Sequence, residues 1–344
     1  MRVLVTGHDG YIGTVLVPVL VEAGHRVTGL DAFLYEGCEL FPPPAEVEAV
    51  RLDVRDVQPD DLAGFDAIVH LAALSNDPLG ALAPELTREV NLGATVALAR
   101  SAKEAGVGRF VFASSCSMYG TADAETPVAE DAPLRPLSAY AESKVRAEEA
   151  LAGLADGDFA PVLMRNATAY GASPRMRVDL VLNNLVGWAL TTGRIRILSD
   201  GTPWRPLVHV EDIARATLAA LEAPRGVVAG EAFNVGRDQE NYQVRELAEL
   251  VRAAVPGCEI EYAGSGEPDP RSYRVDFGKL RRTFPALELA WTAARGAVEM
   301  RDALRDGDLT REAFEGPRYT RLKRLEALLA EGRLDDRLRR REAA

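Results

Sequence analysis

The sequence TGHDGYIG, residues 6–13, decides the fold, because it places three glycines between a strand-like segment and a helical one. RVLVTG (2–7) predicts a buried strand, and YIGTVLVPVLVEAG (11–24) predicts a helix that ends at Gly24. Glycine permits a tight turn and a close approach of phosphate, and the helix N-terminus supplies free N–H groups and a positive dipole end. The spacing is G-x-x-G-x-x-G, and its place between strand and helix indicates a dinucleotide site. The residues expected to hold the phosphates are Gly7, Gly10, Tyr11, Ile12 and Gly13.

Segments rich in Val and Ile alternate with helical segments through the first half of the chain. The further predicted strands are HRVTGLD (25–31), VEAVRLDVRD (47–56), FDAIVHLAA (65–73) and RFVFASS (109–115). Between the last two, TREVNLGATVALARSAKEAG (87–106) has apolar residues at helical spacing. This alternation predicts an α/β fold with a doubly wound parallel sheet of the Rossmann type, covered by helices on both faces.

The pattern loosens in the second half, where Arg, Pro and Gly become more frequent. The C-terminal tail, RYTRLKRLEALLAEGRLDDRLRRREAA, predicts an amphipathic helix that packs on its own subunit, with an oligomer contact as the alternative. Its apolar stripe is formed by Leu322, Leu325, Leu328 and Leu329. The predicted boundaries are 1–165 plus 207–236 for a dinucleotide-binding domain, and 166–206 plus 237–344 for a smaller, discontinuous C-terminal substrate lobe with the helical tail.

Charge and cysteine content disfavour several classes of partner. The 344-residue chain carries 40 Lys and Arg against 52 Asp and Glu, and a net charge of -12 disfavours nonspecific binding to nucleic acid or to an anionic membrane. The cysteines Cys38, Cys116 and Cys258 show no zinc or disulfide spacing, so we expect no metal and a reducing cytoplasm. The longest apolar segment contains Pro18 and is too short to span a bilayer, and we expect no signal peptide.

Asp31 ends the second predicted strand, beyond the glycine turn. A carboxylate at this place accepts hydrogen bonds from both ribose hydroxyls of an adenosine and repels a 2′-phosphate, which favours NAD over NADP. The alternative is a solvated carboxylate at a strand end. Arg26 and Arg51 lie where they could approach the same region.

YAESK, residues 140–144, places a phenol one helical turn from an ammonium group. On a helix Tyr140 and Lys144 therefore share a face. A nearby cation makes a phenol easier to deprotonate, and a phenolate can take a proton from an alcohol. An exposed helix that happens to carry a Tyr and a Lys explains the pair equally well, so other motifs have to decide.

Several motifs follow one another in an order typical of one family. They are TGHDGYIG, DVRD (53–56), HLAALS (70–75), NLGAT (91–95), FASSCSMYG (112–120) and YAESK. With these motifs the chain resembles an extended short-chain dehydrogenase/reductase of the NAD-dependent nucleotide-sugar epimerase/dehydratase family. The resemblance implies that Tyr140 is the acid/base, that Lys144 holds the nicotinamide ribose and that Ser115, or alternatively Ser114, hydrogen-bonds the reacting oxygen. It implies further cofactor contacts by Asp53, Val54, Leu71, Ala72, Ala73, Asn91 and Ser114.

The substrate lobe departs from the family pattern in two places. Cys116 and Ser117 stand where nucleotide-sugar 4,6-dehydratases carry an Asp-Glu pair, so dehydration by that route is disfavoured. Cys116 is either an acid/base in its own right or a small buried residue, and Thr168 replaces the Asn that is usual in the family. Guanidinium groups bind a diphosphate bidentately, although Arg175 and Arg177 could also be solvated. The expected substrate contacts are Ser115, Cys116, Ser117, Thr168, Arg175, Arg177, Asp179, Asn183, Arg205 and Arg271.

The expected function is NAD-dependent epimerisation of a UDP- or dTDP-hexose, at C4, through a transient keto-sugar. Removal of a hydride from a sugar carbon requires removal of the hydroxyl proton, and Tyr140 would take it. An NAD(P)-dependent ketoreductase or dehydrogenase of deoxysugar biosynthesis would use the same groups and is the alternative. A non-catalytic dinucleotide-binding protein is the third possibility. The resemblance also implies a cytoplasmic homodimer that binds a nucleotide-diphosphate sugar and neither nucleic acid nor membrane.

Overall fold

One large parallel sheet forms the centre of the molecule, and two small sheets accompany it. The computed structural model describes residues 1–43, 47–75, 83–122, 126–262 and 271–341. Their strands are β1 (Arg2–Thr6), β2 (Arg26–Asp31), β3 (Glu48–Arg51), β4 (Ala67–His70), β5 (Arg109–Ser115), β6 (Ala160–Asn166), β7 (Thr168–Tyr170), β8 (Arg194–Ile197), β9 (Trp204–His209), β10 (Ala232–Val235), β11 (Asn241–Gln243) and β12 (Glu259–Tyr262).

The large sheet has the order β10-β6-β5-β4-β1-β2-β3, with every neighbouring pair parallel. The chain moves outward from β1 to β2 and β3, and then returns to the other side of β1 for β4, β5 and β6. A switch point of this kind leaves a crevice at the carboxyl ends of β1 and β4, which is where ligands bind in open α/β sheets. The predicted doubly wound Rossmann-type sheet is confirmed.

Helices cover both faces of the sheet and build the lobe. They are α1 (Gly13–Glu22), α2 (Pro84–Arg88), α3 (Thr95–Glu104), α4 (Ala139–Ala152), α5 (Val181–Thr192), α6 (Val210–Glu222), α7 (Arg225–Val228), α8 (Val244–Ala254), α9 (Gly278–Thr283), α10 (Ala293–Asp306), α11 (Arg311–Glu315) and α12 (Arg321–Ala330). The helix predicted over 87–106 is interrupted, because a π-helical stretch, Glu89–Ala94, separates α2 from α3. No helix in the described part of the chain has the length and apolarity that a membrane span requires.

Side-chain alternation along each strand supplies both faces of the sheet with core residues. Val3 and Val5 belong to a core cluster with Leu16 of α1, whereas Leu4 packs in a second cluster with Leu98 of α3. Because the central strands are buried on both sides, they are continuously apolar in sequence. A third cluster joins α5, α8 and α10 in the C-terminal lobe. The predicted domain boundaries stay a prediction.

The C-terminal tail packs on its own subunit, but only part of it is helical. Helix α12 ends at Ala330, and Gly332 follows in the left-handed region with φ 68°. Glycine adopts this conformation without the steric cost that a side chain brings. Leu325 and Leu328 of α12 share a buried cluster with Leu74, which follows β4. The chain beyond Gly332 continues without helix as far as residue 341.

Candidate active site

In the glycine turn after β1, backbone atoms lie so close to Gly7 and Gly13 that a side chain at either position would clash with them. Gly7 has φ 74°, and its N–H donates to the carbonyl oxygen of Leu30 at 2.8 Å. A Cβ on Gly7 would lie 2.7 Å from the backbone nitrogen of Ala72, and one on Gly13 would lie 2.4 Å from the carbonyl oxygen of Gly7. Helix α1 begins at this turn without a side-chain cap. Thr14 and Val15 donate their N–H groups to the carbonyl oxygens of Gly10 and Ile12, whereas those of Tyr11, Ile12 and Gly13 have no partner among the described residues and are available to an anion.

A cavity lies at the carboxyl ends of β1, β2 and β4, at the switch point of the sheet. It brings together most of the residues that the sequence predicts to contact the cofactor, which come from four separate segments. These are Gly7, Gly10, Tyr11, Ile12, Gly13, Asp31, Asp53, Val54, Leu71, Ala72 and Ala73.

Two carboxylates, those of Asp31 and Asp53, line this cavity. Asp31 accepts hydrogen bonds from the backbone N–H groups of Asp9 at 3.1 Å and of Phe33 at 2.7 Å, and burial raises its pKa. An ionised carboxylate has about four acceptor positions, so Asp31 keeps capacity for ribose hydroxyls. Asp53 is paired with Arg55 at 2.6 Å. Although burial opposes it, the hydrogen bonds from Arg55 lower the pKa of Asp53.

The Tyr140–Lys144 pair lies on the first turns of α4, next to the end of β5. Ser138 caps the helix by accepting from the N–H of Ala141 at 3.1 Å. The Lys144 ammonium is buried, donates to the carbonyl oxygen of Ala113 at 2.7 Å and lies 5.9 Å from the centroid of the Tyr140 ring. Burial lowers the pKa of Lys144 to about 7, although Glu148 raises it. The two side chains therefore share one face of the helix, as the spacing predicts.

The end of β5 supplies hydroxyl groups beside this pair. Ser115 accepts a hydrogen bond from the N–H of Ser117 at 3.1 Å, which leaves the Ser115 O–H available as a donor. The hydroxyl oxygens of Ser114 and Ser117 are buried and have no partner among the described residues. Buried hydroxyls are usually hydrogen-bonded, so an unsatisfied one at the end of a strand indicates a place for a ligand atom.

Asn91 is buried within the π-helical stretch and holds the loop after β4. Its side-chain oxygen accepts from the N–H of Leu74 at 2.8 Å, and its amide nitrogen donates to the carbonyl oxygen of the same residue at 3.0 Å. This double contact holds the loop that carries Leu71, Ala72 and Ala73 against the cavity. The predicted contact of Asn91 with the cofactor stays a prediction.

Cys116, which follows β5, is packed inside the protein. Its side chain is fully buried, and the thiol donates to the carbonyl oxygen of Arg165 at 3.1 Å. Burial raises the pKa of Cys116 well above its usual range, so the thiolate is disfavoured. Of the two alternatives for Cys116, these contacts favour the small buried residue under the strand end, and the substrate contact stays a prediction.

Arg175 and Asn183, two of the expected substrate contacts, have side chains that are bound by other groups of the protein. The Arg175 guanidinium is ion-paired with Asp9 and Glu39 and donates to the carbonyl oxygen of Asp9 at 2.9 Å, so it joins the lobe to the glycine turn. The Asn183 side chain accepts from the N–H of Gly171 and donates to the carbonyl oxygen of Arg177. Most donors of both side chains are used by protein partners, and their assignment to the substrate stays a prediction.

The remaining expected substrate residues lie in two groups. Arg177 is paired with Asp179 at 2.9 Å, and it lines the dinucleotide cavity. Arg205 lies on β9 and donates to the carbonyl oxygen of Arg271, so these two arginines are neighbours. Thr168 begins β7, next to the end of β6. These assignments to the substrate stay predictions.

Sequence reasoning missed residues from the C-terminal tail. Arg321 and Leu338 line the dinucleotide cavity together with Tyr35. Arg340 donates to the carbonyl oxygens of Ala32, at 2.9 Å, and of Phe33, just after β2. The amphipathic pattern of the tail predicted that it packs on its own subunit, but no local pattern indicated which surface it covers.

A crevice at the switch point, a glycine turn before α1 and a Tyr–Lys pair beside β5 together define a Rossmann-fold dehydrogenase/reductase of the short-chain type. A family model described as the NAD dependent epimerase/dehydratase family matches residues 3–236. The chain belongs to this family, which confirms the resemblance and the predicted class of NAD-dependent enzyme.

Individual relatives agree with this family over nearly their whole length. A UDP-glucose 4-epimerase from Mycolicibacterium smegmatis is 34% identical over 295 residues, which cover 82% of this chain and 89% of the relative. One from Corynebacterium glutamicum is 32% identical, with 85% and 91% covered. The solved structure of MoeE5 in complex with UDP-glucuronic acid and NAD is similar with a TM-score of 0.77 and 29% identity, covering 89% of this chain and 99% of that chain.

Proposed function

We propose that this protein is an NAD-dependent epimerase of a nucleotide-activated sugar, acting at C4 of a UDP- or dTDP-hexose. The observation that carries the proposal is the buried Lys144 ammonium beneath the Tyr140 ring, at the end of β5. The relatives that are UDP-glucose 4-epimerases support both the nucleotide sugar and the carbon. The complex of MoeE5 with UDP-glucuronic acid and NAD supports the cofactor and the nucleotide.

The cavity fits NAD by the chemistry of its residues. The glycine turn and the uncapped start of α1 suit a pyrophosphate. Asp31 keeps acceptor capacity for the adenosine ribose, and no arginine pairs with it among the described residues. The unsatisfied hydroxyl of Ser114 offers a polar contact near Lys144. A carboxylate at Asp31 also disfavours the 2′-phosphate of NADP.

The reaction needs a proton to leave and return at one sugar oxygen. NAD, when bound, would supply the hydride acceptor and donor for C4 of the sugar. Tyr140 takes the proton of the C4 hydroxyl and gives it back when the 4-keto group is reduced. The Lys144 ammonium stabilises the phenolate because an opposite charge nearby favours the charged form. Ser115 donates its free O–H to the same sugar oxygen.

The neighbourhood of Cys116 supports epimerisation over 4,6-dehydration. Elimination of water needs an acid and a base beside the sugar, and this chain has Cys116 and Ser117 at the expected positions. The buried thiol of Cys116 and the hydroxyl of Ser117 do not supply that pair. A ketoreductase would use the same Tyr140, Lys144 and Ser115, and only the fate of the cofactor distinguishes it from an epimerase.

The test is product analysis with the purified full-length chain. We expect UDP-glucose and UDP-galactose, or the dTDP equivalents, to interconvert without added cofactor, with both sugars separated by chromatography. Tyr140→Phe should still bind NAD and lose about 10²- to 10⁴-fold in turnover, because it cannot transfer the proton. Strict dependence of turnover on added NAD(P)H would indicate the reductase instead, and unchanged turnover in Tyr140→Phe would contradict the catalytic assignment.

We also propose a cytoplasmic homodimer. The three cysteines are free and buried, which is compatible with a reducing compartment. The family resemblance implies that two helices of each subunit form the interface, and the candidates are the segment 87–106 and helix α4. Light scattering of the purified chain should give about twice the 37.2 kDa chain mass, and a monomer would contradict this part of the proposal.

A further inference from the structure

Arg321, the first residue of α12, is a buried cation with an unused donor. Its residue exposure is 2%, and its Nη2 donates to the carbonyl oxygen of Arg175 at 3.0 Å. The guanidinium stacks over the Tyr35 ring at 3.9 Å from the centroid. Its Nη1 is buried and has no hydrogen-bond partner among the described residues. A buried charged donor without a partner is unfavourable, so its presence requires an explanation.

The position of Arg321 explains the unpartnered donor, because Arg321 lines the same cavity as the glycine turn. Arg175, whose carbonyl oxygen Arg321 holds, is itself ion-paired with Asp9 inside that turn. One hydrogen bond and one ion pair, both through Arg175, therefore connect Arg321 to the glycine turn. The Tyr35 ring, on which the guanidinium stacks, lines the same cavity.

The charge of Arg321 is also not neutralised by a protein carboxylate. Arg177, the other arginine at this end of the cavity, is paired with Asp179 at 2.9 Å. Arg321 forms no such ion pair with any residue that the structure describes, and burial lowers its pKa to about 10. The cavity wall therefore carries at this place a guanidinium without an ion-pair partner among the described residues, which suits an anionic group of a ligand.

We propose that Arg321 binds the pyrophosphate of the dinucleotide through its free Nη1. The pyrophosphate is then held between the N-terminus of α1 on one side and the first residue of α12 on the other. This assignment rests on the proposed function only in taking NAD as the ligand of the cavity. It makes the C-terminal tail a part of the cofactor site, although the tail lies outside the family match at 3–236.

The rest of the tail gives the contact a functional consequence. Leu338 lines the cavity, and Arg340 donates to the carbonyl oxygens of Ala32 and Phe33 at its rim. Arg55, which holds Asp53, donates in turn to the carbonyl oxygen of Arg337. These contacts hold the tail against this side of the cavity, where it would cover a bound dinucleotide. A tail that retains NAD suits a redox-neutral cycle, in which the same cofactor gives back the hydride it accepted.

The experiment compares full-length wild type with Arg321→Met, Arg321→Lys and the control Arg333→Met. Arg333 lies on the same tail, is half-exposed and does not line the cavity. NAD per chain is measured after gel filtration, and affinities for NAD, ADP, adenosine and UDP are measured by calorimetry after the nucleotide has been removed. Thermal unfolding without nucleotide shows whether each variant folds.

We expect Arg321→Met to bind ADP and NAD about 10- to 100-fold more weakly, the effect of losing one charge-assisted hydrogen bond, and to bind adenosine as wild type does. Arg321→Lys should fold and keep part of the affinity for ADP, and Arg333→Met should match wild type. Equal weakening of adenosine and ADP would overturn the proposal in favour of a structural role. Unchanged ADP affinity in both Arg321 variants would overturn it as well, and so would a loss confined to UDP.

The outcomes separate this proposal from the proposed function. A wild-type protein that binds NAD with the expected dependence on Arg321 but interconverts no nucleotide sugar refutes the epimerase and supports the arginine contact. A wild-type protein that epimerises while Arg321→Met retains full affinity for NAD and ADP refutes only the arginine contact. A wild-type protein that binds neither NAD nor ADP refutes both.

Discussion

Arg165 and Glu148 form a buried ion pair that joins the central sheet to the helix carrying Tyr140 and Lys144. Arg165 lies on β6 and Glu148 on α4, with Nη2 and Oε2 separated by 2.7 Å and side chains 8% and 5% exposed. Arg165 makes three hydrogen bonds to this carboxylate and one to the hydroxyl of Tyr119. We predict that removing both charged partners together costs much less free energy of unfolding than the sum of the costs of removing each one alone.

The magnitude follows from burial. Glu148→Met leaves the Arg165 guanidinium buried without its counter-charge, and removal of one partner from such a pair costs about 3–5 kcal/mol in the free energy of unfolding. Arg165→Met costs a similar amount because it leaves the Glu148 carboxylate uncompensated. The double variant contains no unpaired charge, so its cost should be smaller than the sum of the two single costs by about 2–3 kcal/mol.

The assay is urea unfolding followed by circular dichroism, with the free energy of unfolding extrapolated to water for wild type, both single variants and the double variant. Arg146→Met is the matched control, because Arg146 pairs with Glu142 on the same helix at 2.7 Å but is 55% exposed. It should change stability by about 0.5 kcal/mol or less. Additive costs in the double variant would refute the reasoning, since they would mean that the two buried charges do not stabilise each other.

Three further predictions concern the site itself. Gly7→Ala should cost about 1–2 kcal/mol for its left-handed backbone, and more for the 2.7 Å approach to Ala72, and the purified variant should carry little NAD; a full complement of NAD would contradict the role of the turn. Burial lowers the pKa of Lys144 to about 7, below its unfolded value, so the unfolded chain binds more protons above that pH. Wild-type stability should therefore rise relative to Lys144→Met between pH 7 and pH 9, by at most about 1.4 kcal/mol per pH unit, and a constant difference in urea titrations would show that the ammonium is not desolvated. Cys116→Ala should retain turnover within about 3-fold while losing about 1 kcal/mol of stability with the buried thiol contact, and a loss of turnover above about 100-fold in a folded variant would restore Cys116 as an acid/base.

The parts of this protein that the sequence determined are those set by local chain geometry. Alternation of apolar segments predicted the parallel sheet, because buried strands and amphipathic helices have different periods. The three glycines predicted the turn before α1, since no side chain fits at Gly7 or Gly13. The spacing of Tyr140 and Lys144 predicted their common helical face, which depends only on the pitch of α4.

The tertiary structure alone decided which groups meet across distant parts of the chain. Cys116 and Arg175 have residue types suited to chemistry, and only packing shows that one is buried against a carbonyl oxygen and the other is used to hold Asp9, 166 positions away. Arg321 carries no motif, yet the docking of the tail places it against the dinucleotide cavity. The physical reason is that the burial and charge balance of a side chain depend on the atoms packed around it, and those atoms come from segments whose arrangement no local pattern encodes.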